Sequence, residues 1–250
     1  MKAIFIAAGE GSRLGNIKKD LPKPLVDINC KSIIERQISL LRKNNVNDIV
    51  VVIGYKKEKF TFKNIKYIHN PNFREQEQTG SLMTARSKIV GDVLIMFGDI
   101  LFDEIILQQM LNSKGDIVIA IDKDWKKSYE ERYDNPKSEA DKVLIKDNKI
   151  IQISSKNIGM NNNDNYIGEL LGLMKLSTKG SKILIEQYEK LENSHAGKFH
   201  DAASLKKAKF VDMLQELVSL GIIITPVYIK GKWCEIDTKH DLEIAKKMFK

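Results

Sequence analysis

The sequence predicts an α/β protein built on an open, mostly parallel mixed sheet flanked by helices. Three observations predict it. The runs 2–7, 48–53, 92–97 and 116–121 are almost unbroken stretches of Val, Ile, Leu, Met, Phe and Ala, the pattern of strands covered on both faces. Segments of helical periodicity alternate with them, which is the order of a sheet wound with helices on either side. The first run opens into Gly9-Glu10-Gly11-Ser12-Arg13. Sheets of this class bind ligands in such loops, at the C-terminal ends of their strands.

Taken in order, the helix expected over 33–43 starts at a capping box, Ser32-Ile33-Ile34-Glu35. A strand follows at 48–53 and a short one near 65–69. A helix is expected over 81–87, then the strand 92–97, a helix over about 104–111 and the strand 116–121. Beyond 122 the character changes, with Trp125, Tyr129 and Tyr133 set among Lys and Glu up to 141. Asp147-Asn148 between 142–146 and 149–155 signals a hairpin. The polar, Asn-rich 156–165 reads as a loop. A strand is expected at 167–176, helices at about 178–192 and 205–220, and a last apolar strand at 222–229. An amphipathic helix over 239–250 carries Leu242, Ala245, Met248 and Phe249 on one face. There is no internal repeat.

The glycine-rich loop carries the chemistry. Glycines let the main chain approach a ligand and turn its N–H groups toward it. Arg13, and Lys23 in Leu21-Pro22-Lys23-Pro24-Leu25, add two positive charges. Backbone donors with fixed cations suit a polyphosphate. A Walker A loop is excluded because no Gly-Lys-Ser/Thr ends it. A dinucleotide fingerprint is excluded because Leu14 stands at the third glycine position and the strand 48–53 ends in Gly54-Tyr55, with no acidic ribose ligand. Gly98-Asp99 stands at the end of another apolar strand. Late in the chain, Trp233-Cys234-Glu235-Ile236-Asp237-Thr238 lies between a strand and a helix. Two carboxylates meeting at a triphosphate would hold Mg²⁺, which prefers oxygen ligands. As a helix cap, Asp237 or Thr238 would need no metal, and the sequence contains no distance between Asp99 and Asp237.

G-x-G-S-R-L at 9–14, followed by P-K-P at 22–24, resembles the signature of the sugar-phosphate and small-metabolite nucleotidyltransferases. So do Gly98-Asp99, the late Ile236-Asp237-Thr238 string and Gly168-Glu169-x-x-Gly172. The resemblance implies a Rossmann-like fold of the nucleotide-diphospho-sugar transferase type with a small β-rich acceptor lobe. It implies one domain over 1–250, with 1–121 as the nucleotide-binding half and 122–250 as the acceptor-binding half. By the same resemblance, Arg13 and Lys23 are the catalytic cations on the nucleotide phosphates. Ala8, Gly9, Gly11, Ser12, Gly80 and Ser81 would hold the nucleotide. Asp99 and Asp237 would coordinate Mg²⁺. Glu169, Gly172 and Trp233 would face the acceptor. The expected reaction is attack of an acceptor phosphate on the α-phosphorus of a nucleoside triphosphate, with loss of pyrophosphate.

Composition bounds the alternatives. Lys+Arg 41 against Asp+Glu 33 leaves a net charge of +8, but the lysines are scattered as short pairs rather than gathered in a block. They read as solvated faces, so nucleic acid is not an expected partner. The two cysteines, Cys30 and Cys234, have no metal spacing and suit a reducing cytoplasm. The apolar start is too short for a signal peptide, and no run approaches the ~18 residues of a membrane span. The lysine-rich loop after Arg13 and the compact length look most like the cytidylyltransferase branch, which favours CTP with a phosphocholine or a phosphoglutamine-like acceptor. Trp125, Tyr129, Tyr133, Tyr166 and Trp233 are candidates for an aromatic cage around choline. The alternatives are a sugar-1-phosphate nucleotidyltransferase using UTP, GTP or dTTP and, in another class, a non-catalytic nucleotide-binding regulator. Oligomeric state stays open, a homodimer included.

Overall fold

A computed structural model describes residues 1–18, 20–130, 132, 134, 136–156, 158 and 165–250. In chain order its strands and α-helices are β1 (Lys2–Ala7), β2 (Asp27–Ile28), β3 (Lys31–Ser32), α1 (Ile33–Lys43), β4 (Asp48–Ile53), β5 (Lys66–His69), α2 (Gln78–Thr84), β6 (Val93–Phe97), β7 (Ile100–Phe102), α3 (Glu104–Asn112), β8 (Ile117–Asp122), α4 (Trp125–Ser128), β9 (Lys142–Lys146), β10 (Lys149–Ser154), β11 (Asn165–Leu176), α5 (Thr178–Ser194), α6 (Phe210–Ser219), β12 (Thr225–Tyr228), β13 (Trp233–Glu235) and α7 (Lys239–Met248). The sheet runs β10-β9-β11-β6-β1-β4-β5, with β8 joined to β11 and β12 joined to β8. Strands β6, β1, β4 and β5 are parallel, so their C-terminal ends share one rim. The continuous apolar sequences of β1, β4 and β6 are buried on both faces, as the sheet's helical layers require, while the edge strand β5 is partly exposed.

Strand β11 ties the two halves of the chain together. Its later residues pair antiparallel with β6 and its earlier ones with β9, while its other edge takes β8. Its register shifts between Leu170 and Met174, where Gly172 has φ +72°. A Cβ at Gly172 would stand 2.3 Å from the Phe97 ring. The glycine therefore lets the long strand bend over the end of β6.

The capping box on α1 is formed: Ser32 accepts from Glu35 N–H, and Glu35 accepts from Ser32 N–H. The 147–148 hairpin is formed too, with both turn residues at positive φ, as a tight turn between twisted strands requires. Several boundaries differ from the sequence expectation. The helix expected over 205–220 breaks into a 3₁₀ turn at Leu205–Lys207 and then α6. The carbonyls of Lys206, Ala208 and Lys209 between them accept hydrogen bonds from Glu77 N–H, Thr79 N–H and Thr79 Oγ1. That backbone thus satisfies the open N-terminus of α2 instead of continuing a helix. Helix α2 itself starts earlier than expected. The last apolar strand shortens to β12, an edge strand that tolerates Pro226. The short pairs β2–β3 and β7–β13 carry too few residues for a period-two signal. Tyr133, and 157 and 159–164 of the expected loop, lie outside the described residues.

Candidate active site

Three segments bring the predicted cations and acids together. Lys23 sits in a one-turn 3₁₀ helix between Pro22 and Pro24, closed by Leu25 N–H on Pro22 O at 2.9 Å. The prolines fix the turn. Pro24 packs on Gly98, where a Cβ would come within 2.7 Å of its ring. Asp99 follows Gly98 at the rim of β6. The late string arrives through the two-stranded β7–β13 sheet, and Ile236 N–H donates to Asp99 O at 2.9 Å. That single backbone bond places Asp237 beside Asp99. The capping expected of Asp237 or Thr238 falls to Thr238, whose hydroxyl accepts from Asp241 N–H while Asp241 accepts from Thr238 N–H.

The resulting cluster is dense in charge. Lys23 Nζ donates to Asp99 Oδ2 at 2.8 Å and also to Asp237 Oδ1. Arg13 lies 2.9 Å from the same Asp237 oxygen. Lys23 and Asp237 are buried. Burial alone would discharge Lys23, yet Asp99, Asp237 and Glu235 outweigh it and hold the ammonium firmly protonated. Burial likewise opposes ionisation of Asp237, but Lys23 and Arg13 prevail and hold its carboxyl below the usual range. Glu235 is the third acid: burial, then Asp237 and Asp99, push its carboxyl well up.

Asp99, Glu235 and Asp237 each offer an oxygen, all within 4.8 Å of one another. Asp99 Oδ1 is buried with no hydrogen-bond partner among the described residues. An all-oxygen set with an unsatisfied carboxylate atom fits a hard divalent cation. The cluster borders a cleft of about 510 Å³. Gly9, Gly11, Ser12, Arg13 and Lys23 line one wall, and Gln76 and Ser81 line another. Ser81 Oγ accepts from Asn70 at 3.1 Å. Gly80 stands behind this wall against Gln76, too close for a side chain. Ala8 is buried, and its carbonyl accepts Tyr55 N–H.

On the other side of the acids, Glu169 is buried, and its Oε1 accepts from Tyr129 Oη at 2.6 Å. Its Oε2 has no partner among the described residues. Burial pushes the Glu169 carboxyl up to about 8, against the opposing pull of Tyr129 and Arg132. The Arg132 guanidinium lies over the Tyr129 ring at 4.8 Å, bonds Asp241 Oδ1 through Nε at 2.6 Å, and stands 3.8 Å from Glu235. Trp233 Nε1 donates to Asp122 at 2.9 Å. Gly172 packs under Phe97 and serves the strand's shape.

The chain matches a known family. The model of the MobA-like NTP transferase domain matches residues 3–148, more than half of the chain. This chain belongs to that family. As an NTP transferase it is 29% identical, over 98% of both chains, to CTP:phosphoglutamine cytidylyltransferase of Campylobacter jejuni. It is 31% identical over its whole length to bifunctional protein GlmU of Methanococcus maripaludis, of which it spans 54%. CTP:phosphocholine cytidylyltransferase from Streptococcus pneumoniae shares the fold, with a TM-score of 0.74 at 19% identity over 100% of this chain and 99% of that one. The fold is thus the nucleotide-diphospho-sugar transferase type, and the chain is a nucleotidyltransferase.

Of the predicted cations and acids, Arg13, Lys23, Asp99 and Asp237 reach the cluster, and Glu169 lies beside Tyr129 instead. Sequence reasoning missed Glu235 as a partner of Asp237, although residues two apart on an extended segment share a face, which was the available signal. It also missed Arg132 and Gln76. Neither stands in a motif, and both owe their place to packing.

Proposed function

We propose that this nucleotidyltransferase is a cytidylyltransferase that joins CTP to a small phosphorylated metabolite and releases pyrophosphate. The observation that carries the reading is the convergence of Lys23 and Arg13 on Asp99, Glu235 and Asp237 at the edge of the cleft. An acceptor phosphate is already ionised at neutral pH, so no general base is required. The obstacle is repulsion between two anions. Arg13 and Lys23 bind the triphosphate and offset that repulsion, and the cleft walls hold the α-phosphorus in line with the incoming oxygen. Asp99, Glu235 and Asp237 would hold Mg²⁺, which when bound neutralises charge on the phosphates.

Two observations support CTP. The phosphoglutamine relative covers the chain from end to end. In the cleft, Gln76 Oε1 is buried with no hydrogen-bond partner among the described residues. A buried amide oxygen needs a donor, which the exocyclic amino group of cytosine supplies and the O4 of uracil or thymine does not. For the acceptor, the Tyr129 face already carries Arg132. This favours a hydrogen-bonded, amide-bearing phosphate over a caged quaternary ammonium.

The similarity to bifunctional protein GlmU supports a second reading, a sugar-1-phosphate nucleotidyltransferase. One experiment separates them. The four nucleoside triphosphates are combined with phosphoglutamine, phosphocholine and a sugar 1-phosphate, with Mg²⁺, and pyrophosphate release is followed. Turnover is expected only with CTP, and highest with phosphoglutamine. Turnover confined to UTP and the sugar 1-phosphate would replace the cytidylyl reading.

A further inference from the structure

We propose that Lys23 and a divalent cation are competing partners of Asp99 and Asp237, so that the lysine couples metal binding to nucleotide binding. The inference rests on reading the cluster as a metal–triphosphate site. Lys23 meets Asp99 and Asp237 and Arg13 meets Asp237, while Arg132, paired with Asp241 at 2.6 Å, stands 3.8 Å from Glu235. Asp99 and Asp237 are therefore balanced by the chain itself. A dication approaching them alone meets an ammonium in contact with two of the carboxylates it needs, and like charges at such range in a buried site repel strongly.

The geometry gives the ammonium somewhere to go. The backbone of Lys23 is held by Pro22 and Pro24, and its stem lies against Gly11, where a Cβ would stand 2.7 Å from Lys23 Cβ. Gly11 has φ +61°, a conformation in which glycine is at ease. The root of the side chain is thus fixed while its tip borders both the acids and the cleft. Rotation about the outer bonds carries the ammonium from Asp99 and Asp237 to a polyphosphate in the cleft without moving the main chain. Arg13, half exposed, meets Asp237 and lines the same cleft. A polyphosphate that draws both cations leaves the acids with an uncompensated negative charge, and the affinity of the acids for a dication rises as a result. Lys23 then has two roles, contact with phosphate and exclusion of metal that arrives without nucleotide.

The test uses Mn²⁺ as the probe, on the full chain with no nucleotide present. Binding is read by calorimetry and by the loss of the free Mn²⁺ resonance signal. Lys23→Met and Lys23→Gln are compared with wild type and with Lys43→Met, which removes a surface lysine paired with Glu104. Circular dichroism confirms the fold of each. Lys23→Gln keeps length and a polar end if the methionine variant does not fold. Wild type and Lys43→Met are expected to bind Mn²⁺ weakly and alike. Either Lys23 variant is expected to bind it about tenfold tighter or more, with the gain abolished by adding Asp99→Asn. Equal Mn²⁺ affinity in wild type and the Lys23 variants, or a gain that survives Asp99→Asn, overturns the exchange and leaves the metal site standing. Absence of Mn²⁺ binding in every variant overturns both.

Discussion

Lys23 Nζ bonds the Asp99 and Asp237 carboxylates, and Arg13 still meets Asp237 when the lysine is lost, so removing Lys23 or the Asp99 charge should reach chemistry before stability. Lys23→Ala and Asp99→Asn are each expected to lower turnover by ~10²–10³ with circular dichroism unchanged, the scale of losing one charge-stabilising group. Gln76→Leu is expected to lower kcat/KM for CTP by about tenfold and to narrow its preference over UTP, because the buried acceptor proposed to meet the cytosine amino group is gone. Activity assays with both nucleotides check this. Glu169 acts on stability through pH. Its carboxyl is held up at about 8 against an ordinary 4.5, so between those values the folded chain binds more protons than the unfolded one. Stability attributable to this group is therefore complete below about pH 4.5 and is lost as pH rises through 8, with a slope of at most ~1.4 kcal/mol per pH unit. Urea titrations across that range should show the decline, and Glu169→Gln should flatten it.

At the scale of elements, the turn from β13 into α7 decides where Asp237 points. Asp241 accepts from Asp237 N–H, Thr238 N–H and the Thr238 hydroxyl with one oxygen, and from Arg132 Nε with the other. Both Asp241 and Arg132 are buried. Asp241→Asn leaves a buried guanidinium without its counter-charge, and a loss of ~3–5 kcal/mol is expected, with a larger fall in activity than in helix content. Chemical denaturation monitored beside turnover measures both. Helix α7 and the α1 capping box were legible because caps are local: Ser32 and Glu35, like Thr238 and Asp241, meet within one turn. The α2 start was not legible, since its N–H groups are satisfied by carbonyls more than a hundred residues away. The strands β7 and β13 were not legible either. Each is too short to show a period, and each exists because the other pairs with it.

Across the whole molecule, the net charge of +8 acts at long range on anionic substrates. Raising salt from about 0.05 to 0.5 M shortens the screening length severalfold, so KM for the nucleotide is expected to rise while kcat holds. Steady-state kinetics over that range test it. No described helix is long and apolar enough to cross a membrane. The sheet spans both halves of the chain, and the acids come from both halves: Asp99 follows β6, Glu235 ends β13 and Asp237 follows it.

By itself the sequence determined the layered α/β class, the glycine-rich loop on the first strand, and which side chains would carry charge, because periodicity, capping and residue chemistry are properties of neighbours along the chain. The tertiary structure alone decided that Asp99 and Asp237 meet, that Glu235 joins them, that Lys23 lies between two acids, and that Arg132 ties Tyr129 to the same loop. Those are distances between residues far apart in sequence, set by the β7–β13 pairing with the backbone bond from Ile236 to Asp99, and by a sheet that takes strands from both halves of the chain.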